Sequence, residues 1–195
     1  MRKIVYIIPG FEDSGKKKIY QKIAKIFSFN EIEPVIVNIK WNSKAEYKAM
    51  SSYVNQFLKK YKRKKNYEIY LFGFSFGAMI AFISSTRIKA KTTVLCSLSP
   101  FFKEDIEKFK RIYLKRIEKL TLKENKDFSF DKISKSYRSK TFILVGSKEH
   151  KEVISRAKEA HKKIKDSKLI IIKGAKHSLS QKEYFKGIKK LINKI

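Results

Sequence analysis

A single cysteine, Cys96, excludes an intramolecular disulfide and a thiolate metal cluster, and its scarcity predicts a reducing, cytoplasmic setting. Three histidines, with neither close spacing nor a helical pair among them, leave little material for a zinc site. No metal and no cofactor is expected. Long apolar runs are also missing. The start MRKIVYIIPGF carries an apolar stretch too short for a signal-peptide core. The longest uncharged stretch, Tyr70 to Thr86, approaches a short membrane span, but it holds GFSFG and several serines and reads better as a buried strand, turn and helix. No transmembrane segment is predicted.

Acidic residues are few. Asp and Glu number 18 against 47 Lys and Arg, giving a formal net charge of +29. Such a charge points toward nucleic acid, yet 40 of the basic residues are Lys and only 7 are Arg, beside 26 Ile. That skew is what AT-rich codons produce, and the lysines are spread along all but one of the helical stretches rather than gathered in one stripe. A solvated surface with weak, non-specific polyanion binding is expected, without an obligate nucleic-acid partner. Oligomeric state is not legible.

What is present is enough for one packed domain: 195 residues, 43% of them hydrophobic and 13% aromatic. Short β-rich runs at Ile4–Ile8, Val35–Ile39, Glu68–Phe72, Thr92–Cys96, Thr141–Val145 and Leu169–Ile172 are apolar at successive positions, as strands covered on both faces should be. Helical stretches at Lys16–Phe29, Lys44–Lys62, Phe76–Arg87, Lys151–Lys165 and Lys182–Lys194 separate most of them. Alternation of this kind predicts an α/β fold: a doubly wound, mainly parallel sheet of about six strands with helices on both faces. Residues 101–139 exceed what one crossover needs. There Phe102, Ile106, Phe109, Tyr113, Ile117 and Leu120 recur at helical spacing and predict a helix.

The chain has only seven glycines, and five of them (Gly10, Gly73, Gly77, Gly146, Gly174) fall at the ends of predicted strands. In a parallel sheet those ends share one edge, where open α/β sheets bind ligands. Gly73-Phe74-Ser75-Phe76-Gly77 follows the strand EIYLF and precedes the helical AMIAFISS. This is G-x-S-x-G in its strand–turn–helix context, which exposes Ser75 as a nucleophile on a strained turn and needs glycine on either side. Gly77, Ala81 and Ser85 give the helix a small-residue face for close packing. His177, in GAKHS after the strand LIIIK, is placed to act as general base. His150 and His161 are read as structural. Glu149, three residues past Gly146, is the candidate acid; Asp105 is its rival, in a lysine-rich stretch where a solvated helix face also explains it. The amides of Phe11, in the Pro9-Gly10-Phe11 turn, and of Phe76 are candidate oxyanion donors.

With these motifs in this order, nearly the whole chain resembles the α/β-hydrolase superfamily, specifically its small esterase-like and lipase-like serine hydrolases. It departs in having Pro9 where many members carry histidine, Glu149 where most carry aspartate, and no pair of leading antiparallel strands. The resemblance implies a strand order of 2-1-3-4-5-6 and places 101–139 at the cap position. It also implies hydrolysis of an ester or thioester of a small-molecule acyl group through an acyl-enzyme on Ser75, with the triad Ser75, His177 and Glu149. Phe74, Phe76, Phe101 and Phe102 suggest an apolar acyl pocket, though the same rings would suit a core. A non-catalytic or membrane-surface, polyanion-binding protein on the same scaffold is the alternative. Acyl transfer and peptidase action use the same constellation.

Overall fold

A computed structural model of the chain describes residues 1–41, 50–61, 66–108 and 128–195. Within these, the apolar runs form one six-stranded sheet in the order β2-β1-β3-β4-β5-β6. The strands are β1 (Arg2–Ile8), β2 (Ile32–Ile36), β3 (Tyr67–Phe74), β4 (Thr92–Cys96), β5 (Lys140–Gly146) and β6 (Ser167–Ile172). Every neighbouring pair is parallel, so all the carboxyl ends lie along one edge. The predicted order is the observed one.

The second strand differs in position, lying at Ile32–Ile36 rather than Val35–Ile39. Pro34 cannot donate to a ladder and is tolerated because β2 is an edge strand, paired only with β1. Past its end, the Val37 amide still donates to the Ile7 carbonyl at 2.8 Å, which is why the sequence there looks strand-like.

Two apolar layers cover the sheet. On one face α1 (Lys18–Phe29) and α7 (Lys182–Ile192) lay Tyr20, Ile23 and Phe27, with Tyr184, Ile188 and Leu191, against Val5, Ile7, Phe72 and Leu144. On the other lie α2 (Met50–Lys60), α3 (Phe76–Ile88) and α6 (Lys151–Lys163), joined by the short α4 (Lys103–Lys108) and α5 (Phe130–Ser136). The amphipathic helices turn lysines outward: Lys18, Lys22 and Lys25 on α1, Lys158 and Lys162 on α6, Lys186 and Lys190 on α7. The cationic surface is therefore distributed over both sides of the sheet. α3 is different, with every residue from Gly77 to Ser85 buried, as befits a helix enclosed between sheet and neighbours. Among the described residues no helix is long and apolar enough to cross a membrane.

The expected cap falls partly outside the described residues: Phe109, Tyr113, Ile117 and Leu120 lie there, as do the side chain of Ile106 and the first residues of the predicted Lys44–Lys62 helix. What is described of 101–139 belongs in part to the core. Phe102 is 0% exposed and meets the rings of Phe82 and Phe130 at 5.6 and 5.2 Å.

α3 can approach the sheet this closely only because of its first glycine. A Cβ on Gly77 would lie 2.2 Å from the Ile8 carbonyl oxygen and 2.4 Å from that of Pro9. Alanine favours a helix interior by about 1 kcal/mol, but here the overlap with backbone dominates. Gly77→Ala is expected to destabilise the protein by about 3 kcal/mol; an unchanged thermal midpoint would show that α3 can shift away from β1.

Candidate functional site

β3 enters a sharp turn and leaves as α3, with Ser75 between them at φ 55° and ψ −119°. This backbone region is costly for a side-chain-bearing residue and persists only where the surroundings enforce it. Here the enforcement is visible. The Ser75 amide donates to the Cys96 carbonyl at 2.9 Å, and a Cβ on Gly73 would sit 2.3 Å from the Gly77 carbonyl oxygen. Both flanking glycines are required by close approach, as the sequence pattern predicts.

The loops after β5 and β6 close on each other. Lys148 N–H donates to the Ala175 carbonyl at 2.9 Å, Ser147 N–H to the Ile172 carbonyl at 2.9 Å, and Gly174 N–H to Ser147 Oγ at 2.9 Å. This brings His177 and Glu149 together beside the elbow. Ser75 Oγ lies 3.0 Å from His177 Nε2, and His177 Nδ1 lies 2.6 Å from Glu149 Oε2. The His177 side chain is 36% exposed and that of Glu149 0%, so the chain of contacts runs from an accessible hydroxyl into the interior.

Glu149 is held from several directions. Its Oε1 accepts from the Gly146 amide at 2.6 Å and from Ser97 Oγ at 2.8 Å. The Tyr184 hydroxyl stands behind, 2.6 Å from Ser97 Oγ and 3.2 Å from the Leu144 carbonyl. Burial, with the nearby Cys96 and Glu149, pushes the Tyr184 phenol well up, so it remains a neutral donor. Burial likewise raises the Cys96 thiol, helped by the Glu149 charge, which leaves that cysteine without thiolate character. Ser97 adopts φ 50°. Neither Ser97 nor Ser99, whose Oγ lies 3.2 Å from Ser75 Oγ, was anticipated from sequence. The available signal was the pair of hydroxyls spaced by two after the strand TTVLC.

The Pro9-Gly10-Phe11 turn is braced by its own network. Gly10 N–H donates to the Tyr20 hydroxyl at 3.0 Å, and that hydroxyl donates to Asp13 at 2.6 Å. The turn lies against the elbow, with Phe11 and Phe76 rings 5.6 Å apart. A half-exposed aromatic row continues on either side: Phe11 to Trp41 at 5.4 Å, and Phe76 stacked on Phe101 at 5.0 Å.

The anticipated pocket rings divide. Phe101 is half-exposed, but Phe102 is enclosed in the core under the Arg156 guanidinium, 5.5 Å from its ring, and cannot line a cleft. Phe74 is also buried, its ring 5.0 Å from that of His177 and 6.4 Å from that of Tyr184, so it backs the imidazole. The rival acid is corrected too. The carboxylate against His177 is that of Glu149, and Asp105 is not on a solvated face; it is 8% exposed and accepts from Arg156 Nε at 3.0 Å and from the Phe102 amide at 3.1 Å. Burial pushes the Asp105 carboxyl up while the guanidinium pulls it down. Among the other histidines, His150 is the residue before α6 and His161 Nδ1 lies 3.0 Å from Ser167 Oγ. Among the described residues no group of three or more His, Cys, Asp or Glu side chains is placed to hold a metal ion.

No protein-family model matches the sequence, and no curated protein matches it. Solved structures do. Est1E from Butyrivibrio proteoclasticus superposes with a TM-score of 0.79 at 13% identity over 98% of this chain and 87% of its own. The same protein with ferulic acid bound gives 0.81 at 12%, over 98% and 88%. A lipase-esterase related protein from Clostridium acetobutylicum gives 0.70 at 15%, over 100% and 95%. MenH from S. aureus gives 0.68 at 16%, over 99% and 93%. The chain has the α/β-hydrolase fold.

Replacing Asp105 by Asn leaves the Arg156 guanidinium buried with Glu159, 3.6 Å away, as its remaining counter-charge among the described residues. Asp105→Asn is expected to lower stability by about 3 kcal/mol. Urea unfolding measures it, and a midpoint equal to wild type would mean that the pair contributes shape alone.

Proposed function

We propose that this protein is a serine hydrolase that cleaves a carboxylic ester or thioester of a small-molecule acyl group. The observation that carries the reading is the continuous contact from Ser75 Oγ through His177 to the buried Glu149, at 3.0 and 2.6 Å. Such a chain activates a hydroxyl that is otherwise a weak nucleophile. The fold shared with esterases supports it.

Ser75 Oγ attacks the acyl carbonyl while His177 Nε2 takes its proton. The amides of Phe11 and Phe76 receive the oxyanion; the Phe76 amide is among the first of α3, where no intrahelical acceptor exists. His177 returns the proton to the leaving alcohol or thiol, and the acyl group stays on Ser75. Water then adds with His177 as base, and the collapse of that second intermediate restores the Ser75 hydroxyl and frees the acid. Glu149 keeps the proton on Nδ1 and stabilises the imidazolium at each stage. The half-exposed row Trp41, Phe11, Phe76 and Phe101 offers the acyl group an apolar, flat-sided wall.

A fluorophosphonate probe tests this directly. Labelling is expected at Ser75 alone, absent in Ser75→Ala and greatly slowed in His177→Ala. Probe retained by Ser75→Ala would remove the nucleophile assignment. On p-nitrophenyl esters, Glu149→Gln is expected to lower turnover by about 10⁴-fold, against about 10⁶-fold for loss of the serine or the histidine.

The outward lysines of α1, α6 and α7 support an additional property, weak polyanion binding without sequence preference. Its affinity for duplex DNA is expected to fall steeply and linearly on a log–log plot against salt. A sequence-selective complex stable at 200 mM salt would instead favour a dedicated nucleic-acid role.

A further inference from the structure

The loop after β4 contributes a second hydroxyl to the reacting atom. Ser99 is 3% exposed, and its Oγ lies 3.2 Å from Ser75 Oγ, its one hydrogen-bond partner among the described residues. Which oxygen donates follows by elimination. Glu149 Oε1 is occupied by the Gly146 amide and Ser97, so Oε2 takes the Nδ1 proton of His177. The neutral imidazole then offers a lone pair at Nε2, which takes the Ser75 proton at 3.0 Å. Ser75 has no second proton to give. The Ser99 hydroxyl must donate to Ser75 Oγ, and a buried hydroxyl that did not would lose a hydrogen bond without recompense.

We propose that Ser99 is a catalytic hydroxyl that assists release of the acyl group from Ser75, through its hydrogen bond to Ser75 Oγ. This rests on the acyl-enzyme reading. The two half-reactions use the bond differently. In the free enzyme Ser75 Oγ already accepts it, so during attack the bond stabilises ground and transition states alike and gains little. In the acyl-enzyme the same oxygen is the bridging atom of an ester, a poor acceptor. When water has added, the C–Oγ bond breaks and its electron pair moves onto Oγ as His177 Nε2 delivers the proton. Negative charge thus grows on the atom that Ser99 faces, and the bond strengthens only then.

Ser99→Ala is therefore expected to slow deacylation by about ten- to a hundredfold, the worth of one hydrogen bond to a charged group. On p-nitrophenyl esters that are deacylation-limited, kcat and KM should fall together while kcat/KM stays within about threefold. The pre-steady-state burst should persist, followed by a slower steady state, and fluorophosphonate labelling should proceed at nearly the wild-type rate. Ser99→Cys, with a weaker donor in a similar volume, should give an intermediate kcat; it also serves if the alanine variant does not fold. Equal falls in labelling and turnover would overturn the proposal by showing that Ser99 merely shapes the site. Unchanged kinetics would overturn it as well. A wild-type protein that neither labels nor shows a burst would instead remove the acyl-enzyme reading, and this proposal with it.

Discussion

The geometry of the sheet edge depends on how one carboxylate is buried. The Glu149 side chain is fully enclosed, and an ionised carboxylate there without donors would cost several kcal/mol. Its donors come from different segments: the Gly146 amide from the end of β5, Ser97 from the loop after β4, and His177 from the loop after β6. Satisfying that charge therefore fixes the three loops relative to one another. The fit is tight enough that a Cβ on Gly146 would lie 2.3 Å from the Ala175 carbonyl oxygen. None of these loops can drift without leaving a buried charge short of a partner.

Much of this edge was legible because the requirements are local. A strand buried on both faces must be apolar at successive positions, and IVYII, TTVLC and FILV declare themselves. The elbow is legible for a similar reason: the clash that forbids a side chain at Gly73 is with Gly77 and Ala78, only a few residues away. His177 and Glu149 could be found by asking which titratable groups follow strand ends, since topology gathers those ends together. β2 was displaced by three residues because the meaning of Pro34 depends on whether its strand lies at an edge, and nothing near Pro34 says so.

What escaped the sequence depends on partners far along the chain. Ser97 meets a residue 52 positions away and Ser99 one 24 away, and loop serines are too common to stand out. The surroundings of Phe102 and Asp105 are hidden from the sequence for the same reason. Helical spacing marks an apolar face but not what it meets, and Arg156, which both neutralises Asp105 and covers the Phe102 ring, comes 51 residues after Asp105.

Those two buried carboxylates also show why the proposed reaction needs Glu149 in particular. Asp105 faces a permanent guanidinium, so its charge is already compensated in the resting protein. An interaction that is equally strong before and during a reaction accelerates nothing. Glu149 is held by an amide, a hydroxyl and an imidazole, none of which carries a full charge while His177 is neutral. Its negative charge is solvated by dipoles but not cancelled. In the proposed reaction His177 takes the Ser75 proton, a full positive charge forms beside Glu149, and the attraction rises at that moment. The neutral donors thus do two things at once: they make burial of the carboxylate tolerable and leave its charge available to the imidazolium.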